Sequence, residues 1–311
     1  MSLNPLIEAS GGLYKTITKS LSDQKTTTYN NGNWSLEQLD HWKNEQLPTI
    51  VLERYKEHGG DTWLIKEELE LLMDWKLAKG KFRPTLPKLI RQNEPDSVKT
   101  ATQEGFKVLI DFYSTHSSKK NFWKNVTSKQ ESEYISAVKD ALKKTSTLRG
   151  VGPATASLIL SLLSPIVKSF TPPFFSDESF IYFVVEPSRK GTKIKYNVKE
   201  YVEEYLPVLI DILKSNPDVD MNVLEKGAWS IKSYDIGKLD ILADIKLPFK
   251  IEPEILEHYV KNDDEEEEEE EDEEEDEEEE ENVKIEEEKE KLEDTDQEIK
   301  KDSSRKRRKI K

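Results

Sequence analysis

Leu148-Arg149-Gly150-Val151-Gly152-Pro153-Ala154-Thr155-Ala156 lies between two helical patterns. Before it, residues 134–144 carry apolar side chains at 134, 135, 138, 141 and 142, which share one helical face. After it, residues 155–163 are apolar nearly all round, the pattern of a buried helix. Two glycines flanking one valine predict a tight hairpin, where φ > 0 and close approach of a partner are permitted. The amides of Gly150 and Gly152, with the unpaired N–H groups that open the second helix, then converge. Donors converging at a helix N-terminus make an anion site, and the usual anion is a phosphate. The plainer alternative is that Gly-x-Gly only ends one helix and begins the next.

These nine residues resemble the helix-hairpin-helix element of the DNA glycosylase superfamily that includes endonuclease III and the 3-methyladenine glycosylases. The resemblance implies a mainly α, glycosylase-like helical domain in which Arg149, Gly150, Val151 and Gly152 grip one DNA phosphate. It also implies a catalytic aspartate about twenty residues further on. Asp177, in Thr171-Pro172-Pro173-Phe174-Phe175-Ser176-Asp177-Glu178, occupies that place. Base excision needs a pocket for a flipped base and a carboxylate to stabilise positive charge building on the sugar. The same carboxylate can orient or deprotonate the attacking water. Asp177 fits that role by type and placement; its alternative is to cap the helix that follows, a duty Ser176 can share. Bifunctional members resemble Gly-Val-Gly-x-Lys, whose lysine forms a Schiff base with the sugar. Ala154 stands in that position. A monofunctional, water-using N-glycosylase is therefore implied, near the 3-methyladenine branch, although that branch often has a large aromatic where Ala154 stands.

Composition bounds the rest. The chain has 311 residues, no Cys, and four scattered His at 41, 58, 116 and 258. Disulfides, the cysteine-held iron–sulfur cluster of some endonuclease III relatives, and a zinc site are not supported, so no metal or other cofactor is expected. The sequence suggests no membrane-spanning apolar run and no signal-peptide core, so a soluble monomer inside the cell is the expectation. Charge divides unevenly. Residues 261–311 hold 12 basic and 28 acidic residues, which leaves 35 of each in residues 1–260. The acidity belongs to the tail, and a neutral body can still carry a basic face for DNA.

Along the chain, residues 1–33 lack obvious periodicity and are Ser/Thr/Lys/Gly-rich, which predicts a loose lead-in. The helical domain is expected over 34–260. Ser35-Leu36-Glu37-Gln38 predicts a capping box, Pro48 a helix start, and Gly59-Gly60 a stop. Asp61 or Thr62 is expected to cap a helix ending near Gly80, and Asp96 or Ser97 one reaching Phe112. Helices are also expected over 198–213, ended by Asn216-Pro217, and over 223–231.

Two further stretches carry chemistry. Trp75-Lys76-Leu77-Ala78-Lys79-Gly80-Lys81-Phe82-Arg83-Pro84 interleaves four cations with aromatics and resembles a segment of uncharacterised eukaryotic relatives of the glycosylases. Lys76, Lys79, Lys81 and Arg83 are candidate DNA contacts; alternatively they are helix-end cations beside core aromatics. After Tyr259, Asp263–Glu281 is unbroken Asp and Glu, which predicts disorder and suits basic partners such as histones or a solubilising role. Arg305, Lys306, Arg307, Arg308 and Lys309 form a nuclear-import-like cluster, which points to the nucleus. Two function classes follow: a DNA N-glycosylase acting on damaged bases, and a non-catalytic helix-hairpin-helix DNA-binding or chromatin protein.

Overall fold

The computed structural model describes residues 3–80, 83–117, 122–188 and 194–235. Lys81, the acidic run 263–281 and the basic cluster 305–309 lie outside them. The described residues are mainly helical, as the sequence predicts, and contain no strand beyond one antiparallel bridge between Tyr29 and Trp34.

The first helix, α1, runs over 4–24 and corrects the expected loose lead-in. Leu6, Ala9, Leu13 and Ile17 are all buried, and their three-four-four spacing puts them on one face. That face packs on the last helix, α10 (Met221–Asp235), so closely that a Cβ at Gly227 would collide with the Leu6 carbonyl oxygen. Removing the N-terminal residues would therefore strip the cover from α10.

Between them, α2 covers 36–57, with the predicted capping box at Ser35 and Gln38. Next, α3 spans Lys66–Lys79, α4 Thr85–Arg91, α5 Pro95–His116, α6 Ser128–Thr145 and α7 Pro153–Leu160. Helices α8 (177–188) and α9 (198–215) precede α10. Two predicted caps are displaced. Thr62 donates to the Val51 carbonyl instead (2.8 Å), and α3 begins after Ile65, whose N–H reaches back to Glu68 (2.9 Å). Helix α5 begins at Pro95, directly after Glu94.

Proline explains three of the irregular turns inside the long helices; a fourth, Ala9–Leu13 in α1, has no proline after it in that helix. Wide π turns at Trp42–Gln46, Ile181–Val185 and Tyr201–Tyr205 each stand two residues before a proline, at 48, 187 and 207. A proline has no N–H and its ring crowds the carbonyl four residues back, and a wide turn relieves both conflicts without ending the helix.

Helix α7 and the turns after it form the centre of the body. Residues Pro153–Phe170 are long and apolar enough to match a membrane span by composition, contrary to the reading that no such run exists. Most of the stretch is buried inside the helical body, which makes it a core element.

Candidate functional site: a hairpin tied to an aspartate

The hairpin joins α6 to α7 as expected. Leu148–Val151 is a tight turn closed by the Val151 N–H donating to the Leu148 carbonyl (3.1 Å). Its third residue, Gly150, has φ of 72°, the conformation a type II turn reserves for glycine. A Cβ at Gly150 would also meet the Leu89 Cβ at 3.0 Å, because α4 packs directly behind the turn. Gly152 differs from expectation. Its φ is −81° and a Cβ there meets nothing within 4 Å, so it needs no left-handed backbone and faces open space.

Asn93, just after α4, holds the turn from behind. Its side chain accepts the Arg149 N–H (2.9 Å) and donates to the Arg149 carbonyl (2.9 Å) and the Ile90 carbonyl (3.0 Å). Val151 is buried and its amide is used inside the turn, so neither its side chain nor its N–H is available to a ligand. The donors that remain are the amides of Gly150 and Gly152, which have no partner among the described residues, and those opening α7. No side chain caps that helix. Arg149 is exposed and its guanidinium donates to Gln92 (3.0 Å), while Lys88 and Arg91 are exposed on the helix behind the turn, the Arg91 charge acting on Asp74. The last two cations come from α4, which the sequence reading passed over. Their signal was a short amphipathic run, with Ile90 turned inward and Lys88 and Arg91 outward.

The segment carrying Asp177 is tied to the same helix. Five consecutive residues are each held by a side chain from elsewhere. The Pro173 carbonyl accepts from the Tyr201 hydroxyl (2.6 Å), and the Phe174 carbonyl from Tyr205 (3.2 Å). The Phe175 N–H donates to Ser157 on α7 (2.9 Å). The Ser176 hydroxyl donates to Glu225 on α10 (2.6 Å), and Asp177 Oδ2 accepts from Tyr196 (2.9 Å). Ser176 sits in the N-cap position of α8, yet neither it nor Asp177 caps the helix. Capping therefore does not account for either residue. The Asp177 carboxylate is half-buried, directed to Tyr196.

Of the four predicted cations, two gather at this carboxylate. The Arg83 guanidinium lies over the Tyr196 ring, 5.4 Å from its centroid. Burial pushes the Lys76 amine below its ordinary pKa, with the Asp177 charge opposing the shift and Arg83 adding to it. Lys79 is a correction. It is buried, paired with Asp40 (3.1 Å), donates to the Tyr14 hydroxyl (2.7 Å), and lies over the Tyr14 and Trp229 rings, each 3.8 Å away. It is a core residue and no DNA contact.

The Asp40–Lys79 pair belongs to a buried polar cluster beneath the Asp177 segment. Asp40 also accepts from Tyr14 (2.7 Å), the Trp75 indole (2.8 Å) and Asn44 (3.0 Å). Burial alone would raise the Asp40 carboxyl; Lys79 and these donors outweigh it and hold it below the usual carboxylate range. Burial raises Glu225, which Ser176 and the lysines at 43, 79 and 226 partly offset. Lys43 has Asn44 as its hydrogen-bond acceptor (3.3 Å) and the Trp75 ring 4.4 Å away. Burial pushes its amine down to about 7.

The described residues contain no group of three or more His, Asp or Glu able to hold a metal ion. No protein-family model matches this chain, no curated protein matches it, and no solved structure matches it. The resemblance to the glycosylases rests on the residues of the hairpin and of the Asp177 segment.

Proposed function

We propose that the chain is a nuclear DNA-binding protein of the base-excision type, a monofunctional N-glycosylase that hydrolyses the base–sugar bond of damaged nucleotides. One observation carries this reading. Ser157, on the helix whose N-terminus faces open space at Gly152, holds the Phe175 amide two residues before Asp177. A phosphate received at the hairpin and a sugar presented to Asp177 would thus be referred to one rigid element, which is what fixed geometry between binding and reacting groups requires.

The division of labour follows from chemistry. Amides of Gly150, Gly152 and the first turn of α7 receive one phosphate oxygen pair, and Arg149 adds charge. Asp177 stabilises the positive charge that builds on the sugar as the base departs, and orients water at the anomeric carbon. Ala154 has no nucleophile to offer, so the hairpin supplies no Schiff-base chemistry. The body is neutral overall, and Arg149 in the turn, with Lys88 exposed on the helix behind it, supplies the cations for the phosphate. The acidic tail is a site for basic partners such as histones.

Two variants test the two halves separately. A Cβ at Gly152 meets nothing within 4 Å and the backbone there has an ordinary φ, so Gly152→Val should fold normally while its side chain blocks the phosphate. Gel-shift affinity for duplex DNA is expected to fall roughly tenfold, or about 1.4 kcal/mol. Affinity equal to wild type would remove the hairpin from the binding surface. On a panel of damaged duplexes, Asp177→Asn is expected to lose about a hundredfold or more in excision rate while still binding. A wild-type protein that binds DNA but releases no base from the panel would favour the non-catalytic DNA-binding class.

A further inference from the structure

We propose that Tyr196 is a positioning residue for Asp177: its phenol holds Oδ2, so that Oδ1 is the oxygen presented to the reacting sugar. The proposal rests on the reading of Asp177 given above.

The hydrogen bond itself is 2.9 Å long, and the backbone that delivers it is unusual. Tyr196 has φ of 50°, a left-handed conformation that bulky residues rarely adopt and that costs about 1–3 kcal/mol. Such strain persists only where the surroundings over-determine it. Here they do. The Lys195 N–H donates to both carboxylate oxygens of buried Glu200 (2.9 and 3.1 Å). The Glu200 N–H donates in turn to the Asn197 side chain (3.0 Å). The residues on both sides of Tyr196 are thereby locked to the first turn of α9, which leaves residue 196 to take up the conformation between them.

The ring is also held. It lies 6.3 Å from the Phe175 ring on one side, with Arg83 5.4 Å from its centroid. A turn that served only to connect segments would be cheaper with glycine or asparagine at this φ. A tyrosine stands here despite that cost, and its hydroxyl goes to the carboxylate that no helix cap employs. A phenol donating to one carboxylate oxygen restricts rotation of the group and leaves the second oxygen's lone pairs for water or sugar.

Tyr196→Phe isolates the hydroxyl, since it keeps the ring, the backbone and the Arg83 contact. Single-turnover excision is expected to fall roughly tenfold, the effect of one hydrogen bond to a charged group. Affinity for the same duplex is expected to stay within about twofold, because the hairpin is untouched. Incorporating 3-fluorotyrosine at 196, a stronger donor of nearly the same shape, is expected to restore the wild-type rate. An unchanged rate in Tyr196→Phe, beside an inactive Asp177→Asn, would overturn the inference and leave the proposed function standing. Rate and affinity falling together would also overturn it, because Tyr196 would then act through binding or folding. Excision by Asp177→Asn at the wild-type rate, or a wild-type chain inert on every duplex, would overturn the proposed function and this inference with it.

Discussion

Asp40→Ala is expected to destabilise the protein by about 3–5 kcal/mol, the cost of leaving one member of a buried ion pair without its partner. The carboxylate is nearly covered and receives four donors, from Tyr14, Trp75, Asn44 and Lys79. Alanine would leave the Tyr14 hydroxyl and the Trp75 indole without an acceptor and the Lys79 charge without its counter-charge, in a place that water reaches poorly. The loss is structural because the donors come from α1, α2 and α3, which are thereby fastened at one point. Urea unfolding of the variant measures it. The same pairing predicts strong coupling. Asp40→Ala and Lys79→Met combined should cost less than the sum of the two single losses, by more than about 1 kcal/mol. Additive losses would mean that Lys79 is solvated and paired with Asp40 only incidentally, and it would regain its standing as a candidate DNA contact.

Lys79 also shows what could be seen in the sequence and what could not. Cations near a helix end are common on dipole grounds, so Lys76 and Lys79 were indistinguishable by composition. Spacing does not separate them either: Lys79 falls four and seven residues after buried Trp75 and Leu72, and Lys76 four and seven after buried Leu72 and Leu69. The partner of Lys79 was hidden, because Asp40 lies 39 residues away.

The hairpin was legible because its chemistry is local. Gly-x-Gly before Pro-Ala-Thr predicts a turn and a helix start from neighbouring residues alone. Even so, the sequence could not say which glycine takes the left-handed backbone. That was decided by α4 pressing behind Gly150, a contact between segments about sixty residues apart. The Asp177 site is less legible for the same reason. Its residue type and position were readable, while Ser157, Tyr196 and Glu225 reach the segment across 18, 19 and 49 residues. Polar side chains in two separate helices and one loop carry no shared pattern until the chain is folded. The first helix is obscured differently. Its apolar residues are evenly spaced, but Ser, Thr, Lys and Gly outnumber them and mask the pattern.

Lys43 is expected to make stability rise with pH across the slightly alkaline range. Its amine is pushed from an ordinary 10.5 down to about 7, mainly by burial, with Lys226 adding to the shift and Glu225 and Asp40 opposing it. The sign follows from proton counting. Between these two values the unfolded chain holds the proton and the folded chain does not, so unfolding takes up a proton and stability increases with pH. The slope from this one group approaches about 1.4 kcal/mol per pH unit. Below about pH 7 both states hold the proton, the slope vanishes, and the full cost of a charged amine under Trp75 is borne by the fold. Above about pH 10 the buried Tyr14 hydroxyl, raised by burial and by Asp40, begins to act with the opposite sign. The useful window is therefore pH 7 to 9. Lys76, Lys79 and Lys25 are also lowered by burial, so any slope they add has the same sign and remains in a Lys43 variant. Lys43→Met has a similar volume and no proton to lose. It is expected to stabilise the protein at pH 7 by about 1–4 kcal/mol and to flatten the rise. Unfolding free energies of both proteins at pH 7, 8 and 9 decide the matter through their difference. If that difference is constant across the window, Lys43 keeps its proton in the folded state, and the excess of lysines over carboxylates around Glu225 is balanced in another way.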